Sequence, residues 1–485
     1  MKSSFKRILA ALLASLTVLP TAVGLTSCGE NADQPADTHT STTAEETAST
    51  DEILYGDLPE GNFEGYNFNI LQYKEDTAAT STVLTERTGN PIEDKIYERA
   101  LAVEDRLKVE FVNHALKLDE VTSALRNSIA GGMDEYDVCW THSTTTVSNF
   151  LAPGYLIDLN TIEDFDFEKP WWDDTANDYL ALDEHLYMAF GDINIYLFDF
   201  HSTILFNKEV TNQHQINLYD EVKNGTWTID KFITLVTDLA LPADDGSGNY
   251  DRIGYAGNAT ATMFGFLHGT GVDLFSYDEE GVPYMEMVSE TYLDVLTKYS
   301  NLFKDTKLCN ARDGDCVTTF AAQKATFISC SVGQLGALRE ESFDYGLLPF
   351  PKYNKEQKEY ISFVTNQIQP MVIPKSAGNT ARTGVILENL AAESYRRVRP
   401  EYFQVLLDSK YVRDHESMEN MDMLFSSETR FELEHIYAWN KFEETVVNAL
   451  TGKAESFTSS VKSYTKALNR CVENTMKYLE KGAKS

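Results

Sequence analysis

Asp245, Ser247, Asn249 and Asp251 fall at alternate positions of a Gly-rich stretch. Oxygen ligands at that spacing can wrap a calcium ion. The glutamate that should close such a loop is missing, because position 256 is Ala. A plain Gly/Asp turn therefore competes with Asp245, Asn249 and Asp251 as a metal site. Asp192 and Asp199 are carboxylates close enough in sequence to suggest a glycosidase pair. With 75 acidic residues in the chain, such pairs arise freely. There is no H-E-x-x-H, no P-loop and no G-x-S-x-G, so zinc hydrolysis, nucleotide hydrolysis and α/β-hydrolase chemistry lack support. No catalytic residue and no cofactor is expected.

The sharpest chemical signal lies near the start. Lys2, Lys6 and Arg7 precede a short apolar run from Ile8 to Val23, and Leu25-Thr26-Ser27-Cys28 follows. A basic opening, a short apolar core and small residues before a cut describe a secretory signal peptide over residues 1–27. Its ending reads as a bacterial lipobox, with Cys28 lipidated and made the first residue of the mature chain. Residues 28–60 are rich in Thr, Ser, Asp and Glu and offer little to bury, so they read as a disordered tether. Two acyl chains on Cys28 would hold it to a membrane without a spanning helix.

The remaining chain is long enough for two lobes. A formal net charge of −34 makes nucleic acid and anionic membrane faces poor partners. Of the six cysteines, Cys28 is taken by the lipid. Cys309 and Cys316 are near enough in sequence to bridge a small loop. Cys139, Cys330 and Cys471 read as buried thiols.

Elements that could position a site follow from periodicity. Tyr66–Ile70 alternates as a strand. Asn90-Pro91 opens a helix whose Ile92, Ile96, Ala100, Val103 and Leu107 share a face. A strand at 109–112, a helix capped by Asp119 and stopped by Gly131-Gly132, and a strand at 136–140 complete a β-α-β-α-β opening. Leu186 to Phe206 reads as strand-rich. Ile229 to Ala240 and residues 290–304 read as helices, 325–331 and 345–348 as strands, and 393–485 as mostly helical.

Several of these segments, in their order, resemble the bacterial extracellular solute-binding proteins of the carbohydrate, maltose-type group, the lipoprotein receptors of ABC importers. The similar stretches include Gly89–Leu107, Tyr136–Leu159, Leu186–Lys208, Ala325–Leu338 and Ser394–Met423. The most family-like are Gly225-Thr-Trp-Thr-Ile-Asp-Lys-Phe and Tyr345-Gly-Leu-Leu-Pro-Phe-Pro-Lys-Tyr. The resemblance implies an α/β, two-lobed periplasmic-binding-protein-like type II fold with an interlobe ligand cleft and hinge crossovers. Lobe 1 would hold residues 63–192 plus 353–405, and lobe 2 residues 193–350 plus 410–485. Hinges would fall near Gly191–Ile195, Pro349–Lys352 and Asp408–Val412.

A sugar asks for aromatic faces against its C–H surfaces and planar polar groups for its hydroxyls. The resemblance places such groups at strand ends facing the cleft. Trp140, His142 and Ser143 leave one strand end, with Trp140 open to a core role as well. Asp192, Asn194 and Tyr196 occupy the first hinge, where a hinge hydrogen-bond network is the alternative; Asp199 and His201 follow. Ser331 and Gln334 stand on a loop that often bears a stacking tryptophan in the family, and this chain has none there. Tyr437 and Trp439 match another family aromatic loosely, with a helical core role equally open. Trp227 reads as packing, and Trp171-Trp172 as a surface or core pair. The implied function is a monomeric, lipid-anchored receptor on the outer face of a Gram-positive membrane, passing an oligosaccharide to ABC permease subunits. The alternatives are a surface glycoside-active enzyme and a sensor or adhesin using the same fold.

Overall fold

The computed structural model describes residues 55–73, 83–182, 185–258, 263–273, 275–279, 282–285, 288–365, 368–408, 412–431 and 440–482. Its first principal elements are β1 (Tyr66–Tyr73), α1 (Pro91–Leu107), β2 (Val109–Leu116), α2 (Leu118–Gly131), β3 (Val138–Trp140), α3 (Asp174–Leu180), β4 (Ser202–Asn207) and α4 (Ile229–Asp238). Next come β5 (Tyr250–Gly257), α5 (Gly265–His268), β6 (Phe275–Tyr277), β7 (Pro283–Met285), α6 (Glu290–Phe303), α7 (Cys316–Ala321), β8 (Ala325–Ser331) and β9 (Tyr345–Leu348). Then follow β10 (Ser362–Val364), β11 (Met371–Val372), α8 (Thr380–Glu393), α9 (Arg399–Asp408), α10 (His415–Ser426), β12 (Thr429–Phe431) and α11 (Phe457–Gly482).

Local signals account for the opening. The Asn90 side chain accepts from the Ile92 and Glu93 amides, Pro91 takes the first turn, and Lys108 ends α1 in the left-handed region. Ile96, Ala100, Val103 and Leu107 form the buried stripe. In α2 the cap is Lys117, whose amide bonds to the Glu120 carboxylate at 3.1 Å; Asp119 lies inside the first turn. Gly132 closes that helix with positive φ.

Two sheets carry the two lobes. The first has the order β11–β3–β1–β2. β1 is parallel to β2 and β3, with Gln72 opposite Trp140, and β11 is antiparallel, with Met371 opposite Trp140. The second runs β9–β4–β8–β5, with β4 antiparallel to both neighbours and β8 parallel to β5. Its core is aromatic: Phe232, Tyr255, Phe266, Phe303 and Phe327 meet edge-on or tilted at 5.2–5.9 Å. Between the sheets, β10 pairs in parallel with β12.

The crossings differ from expectation in two places. Of the stretch expected as strands, residues 192–200 wind as a 3-10 segment, with Asn194 at φ −119°, ψ 81°. This segment leaves the first sheet for the second and, among the described residues, joins no strand ladder along its length. Its polar backbone bonds elsewhere: Asp192 N to Trp171 O at 2.9 Å, and Ile193 O to the Arg99 guanidinium at 3.1 Å. A Cβ on Gly191 would sit 2.4 Å from Trp171 O, so close backbone approach demands glycine there.

The second crossing also moves. Residues 352–360, expected at a hinge and in lobe 1, stay with lobe 2. Lys352 exchanges backbone bonds with Trp227 and Ile229, Gln357 Nε2 donates to Gly269 O at 2.9 Å, and Tyr360 OH to Val222 O at 3.2 Å. The chain returns over residues 361–370 instead. Residues 409–411 of the third expected hinge lie outside the described residues.

Cys309 and Cys316 form no bridge; both are free and buried, as are Cys139 and Cys330. Cys309 pairs in a strand opposite Tyr255, whereas Cys316 packs in a separate apolar cluster with Ile328 and Cys330 and donates its thiol to Ser329 O at 3.4 Å. Burial pushes the Cys316 thiol up to about 11.

Candidate functional site

The first sheet ends in a polar cluster. Beyond the Trp140–Met371 rung, the Thr141 amide donates to Pro370 O at 3.3 Å and the Ser143 amide to Ile368 O at 3.0 Å. The backbone of Gln369 therefore lies between these two bonds, opposite His142. Asn194 Nδ2 donates to Gln369 O at 3.3 Å and ties the 3-10 crossing to this end. His142 sets its ring edge-on to Tyr73, centroids 6.1 Å apart. Trp140, His142, Ser143 and Gln369 are all buried.

Two atoms in this cluster lack a hydrogen-bond partner among the described residues: Trp140 Nε1 and Gln369 Oε1. Leaving a buried polar atom unmatched costs roughly 1–3 kcal/mol. One is a donor and the other an acceptor, so together they suit a hydroxyl-bearing molecule.

The crossing itself is mostly satisfied. Asp192 accepts from Arg399 Nη1 with both oxygens, at 3.0 and 3.2 Å. Burial nonetheless pushes its carboxyl up to about 6, against the pull of Arg399. Asp199 accepts from Tyr402 OH at 2.6 Å, and burial raises it to about 6 as well. Each expected glycosidase carboxylate is thus committed to its own structural partner. Tyr196 packs with Ile96, Cys330 and Val332 rather than facing outward, although its hydroxyl has no partner among the described residues. His201 bonds Ser362 Oγ at 2.8 Å, and burial holds the imidazole down at about 3, hence neutral.

The second sheet ends differently. Ser331 and Gln334 form a capping box, with the Ser331 amide 3.0 Å from Gln334 Oε1. That gives them a local structural role, with Ser331 half-buried and Gln334 exposed. Nearby loops bring together groups that the sequence reading missed. His268 stacks on Phe363 at 5.1 Å and 8°, with Nδ1 3.4 Å from Asp273, which also pairs with Arg430 at 2.8 Å. The sequence offered one hint for Gln369, the mostly polar stretch Thr365-Asn-Gln-Ile-Gln369 between two apolar strands. It gave none for His268.

Trp227 is packing, fully buried with its Nε1 on Pro349 O at 2.8 Å. Trp171 and Trp172 are buried and clamp one carboxylate, Glu388, at 2.8 and 2.9 Å. Burial pushes Glu388 up to about 7. The calcium-loop candidates stand in a hydrogen-bonded turn. Asp245 Oδ1 accepts from the Ser247 amide, Ser247 Oγ accepts from the Asn249 amide, and the Lys307 ammonium donates to Ser247 O at 3.2 Å. The loop is a turn that already carries a cation, and no group of three acidic, His or Cys side chains suited to a metal occurs among the described residues. Cys28, Tyr437 and Trp439 lie outside the described residues.

Residues 105–393 match the family described as bacterial extracellular solute-binding protein. Solved structures share the architecture at low identity. The cyclic α-maltosyl-1,6-maltose binding protein of Arthrobacter globiformis superposes with a TM-score of 0.58 at 11% identity, covering 84% of this chain and all of that one. UspC of M. tuberculosis gives 0.57 at 12%, and the apo form of RafE from Streptococcus pneumoniae 0.54 at 14%, both over 84% of this chain and 100% of theirs. No curated protein matches.

Proposed function

The chain belongs to the bacterial extracellular solute-binding proteins, and from that premise we propose that it is a lipid-anchored receptor for a carbohydrate, an oligosaccharide, held between its two lobes for delivery to an ABC permease. The observation that carries the sugar reading is the pair of buried, unmatched atoms at the end of the first sheet, Trp140 Nε1 and Gln369 Oε1. Sugar hydroxyls can accept from the one and donate to the other, while an apolar solute would leave both unmatched. His142, Ser143 and Asn194 stand at the same sheet end and add further hydrogen-bonding groups. In the adjoining crossing Asp192 and Arg399 pair with each other, so the site favours an uncharged ligand. The name of the Arthrobacter globiformis protein, a maltose-based oligosaccharide binder on the same architecture, points the same way.

Binding would draw the lobes, residues 63–192 with 361–405 and residues 193–360 with 410–485, together over the crossings. Cys28 would keep the receptor near its permease, raising the effective concentration of the pair without a permanent interface. No helix among the described residues is long and apolar enough to cross a membrane, which suits an anchor of this kind.

A thermal-shift screen against neutral oligosaccharides tests the reading. A cognate sugar at 100 times its Kd should stabilise the folded chain by about 2.7 kcal/mol, and no sugar should be turned over. A panel without any shift, or products formed at enzyme-like rates, would contradict it.

A further inference from the structure

Away from the 3-10 crossing, a further cluster joins side chains that are anchored in different lobes. Helix α3 belongs to the first: Asn177 and Phe190 exchange two hydrogen bonds at 2.8 and 3.1 Å, and Ala189 pairs with Met371 of β11. The β6–β7 hairpin belongs to the second. Its Met285 amide donates to Asn469 of α11 at 2.8 Å, and α11 stacks Phe457 on Tyr292 of α6. Asp273 stands just before this hairpin. Between the two lies Arg430, the middle residue of β12.

Arg430 Nη1 donates to Asp273 Oδ2 at 2.8 Å, and Nη2 lies 2.6 Å from Glu428. Its guanidinium sits 5.2 Å from the ring centroid of Tyr179 on α3. Tyr179 in turn meets Tyr277 of β6 at 6.4 Å and Phe431 at 6.0 Å. The Arg430 and Asp273 side chains are only 16% and 20% exposed. A charge-assisted bond in such partial shelter is worth more than the same pair in open solvent. Burial works against the Asp273 carboxylate, yet His268 and Arg430 hold it below its ordinary value.

We propose that Arg430 is a positioning residue for solute capture, a strut that ties Tyr179 of the first lobe to Asp273 of the second and is made only when the lobes are together. The inference rests on the reading of a two-lobed receptor that closes. A solute that binds the closed form shifts the population by its differential affinity alone. The strut sets how far that population must be shifted. The free protein samples both forms, so losing the strut lowers its closed fraction, leaves the encounter with the open form unchanged and weakens the closed complex.

The test uses the full chain carrying Arg430→Gln, Asp273→Asn, both together, or Tyr277→Ala, each checked by thermal melting. Small-angle scattering without any ligand should show a larger radius of gyration for each variant than for the wild type, with the double substitution no larger than either charge variant. For a bound sugar, dissociation should quicken about tenfold, the scale of one charged hydrogen bond, with association unchanged. Folded variants with the wild-type radius overturn the proposal. Should Arg430→Gln fail to fold, Asp273→Asn and the exposed Tyr277→Ala decide it by the same radius. A wild type that binds no sugar defeats the receptor reading, whereas the ligand-free scattering still decides the strut.

Discussion

The two sheets stop at the same crossing but finish in different ways. The second sheet ends in a matched polar pair, the Ser331–Gln334 box, beside one buried hydroxyl, Ser202 Oγ, without a partner among the described residues. Behind it stands an aromatic core in which Phe232 alone meets Trp227, Tyr255, Phe266 and Phe327. The first sheet ends in groups that are buried and without a partner among the described residues, Trp140 Nε1 and Gln369 Oε1. The second end is capped locally and backed by packing. The first carries a donor and an acceptor that, under the proposed function, a ligand would match, at a cost in stability to the free protein.

Substitutions that treat the two ends alike should therefore give unlike results. The largest effect belongs to the second lobe. Phe232→Ala should cost about 3–5 kcal/mol in chemical denaturation, with the affinity of the folded fraction for its sugar unchanged. A parallel loss of affinity would break the contrast.

The next effect concerns the first lobe and pH. Burial raises Glu388 from 4.5 to about 7 in the folded protein. Between those values the folded state holds more protons than the unfolded one. Its contribution to stability thus falls as pH rises from about 4.5 to 7 and is flat above. Across the whole window the fall amounts to about 3 kcal/mol. Glu388→Gln should remove this part of the slope, so the stability of the wild type relative to the variant should decline between pH 4.5 and 7.5. Parallel denaturation curves for the two proteins would contradict the assignment.

Much of the scaffold was legible because its signals are local. Asn90-Pro91 and the Ile96–Leu107 stripe specified α1, and alternation specified β1. The 192–200 segment was not, since an apolar run reads equally as strand or helix until its neighbours are known. Tertiary contact also decided the site. His142 and Gln369 are more than 200 positions apart in the chain, and only the pairing of β3 with β11 brings them level. Tyr196 shows the converse: its position in the crossing was legible, but not which way it faced. The clamp of Trp171 and Trp172 on Glu388 was invisible for the same reason, since a carboxylate far along the chain gives the two indoles their role.

The smallest expected change is the most direct test of the central claim, that the first sheet ends in groups kept for a ligand. Gln369→Met conserves volume and shape while deleting the unmatched acceptor. Measured by paired denaturation and calorimetric titration of the cognate sugar, this variant should be about 1 kcal/mol more stable than the wild type and bind at least about tenfold more weakly. A variant that is less stable and binds as tightly as the wild type would show that Gln369 serves the fold and that the ligand is held elsewhere.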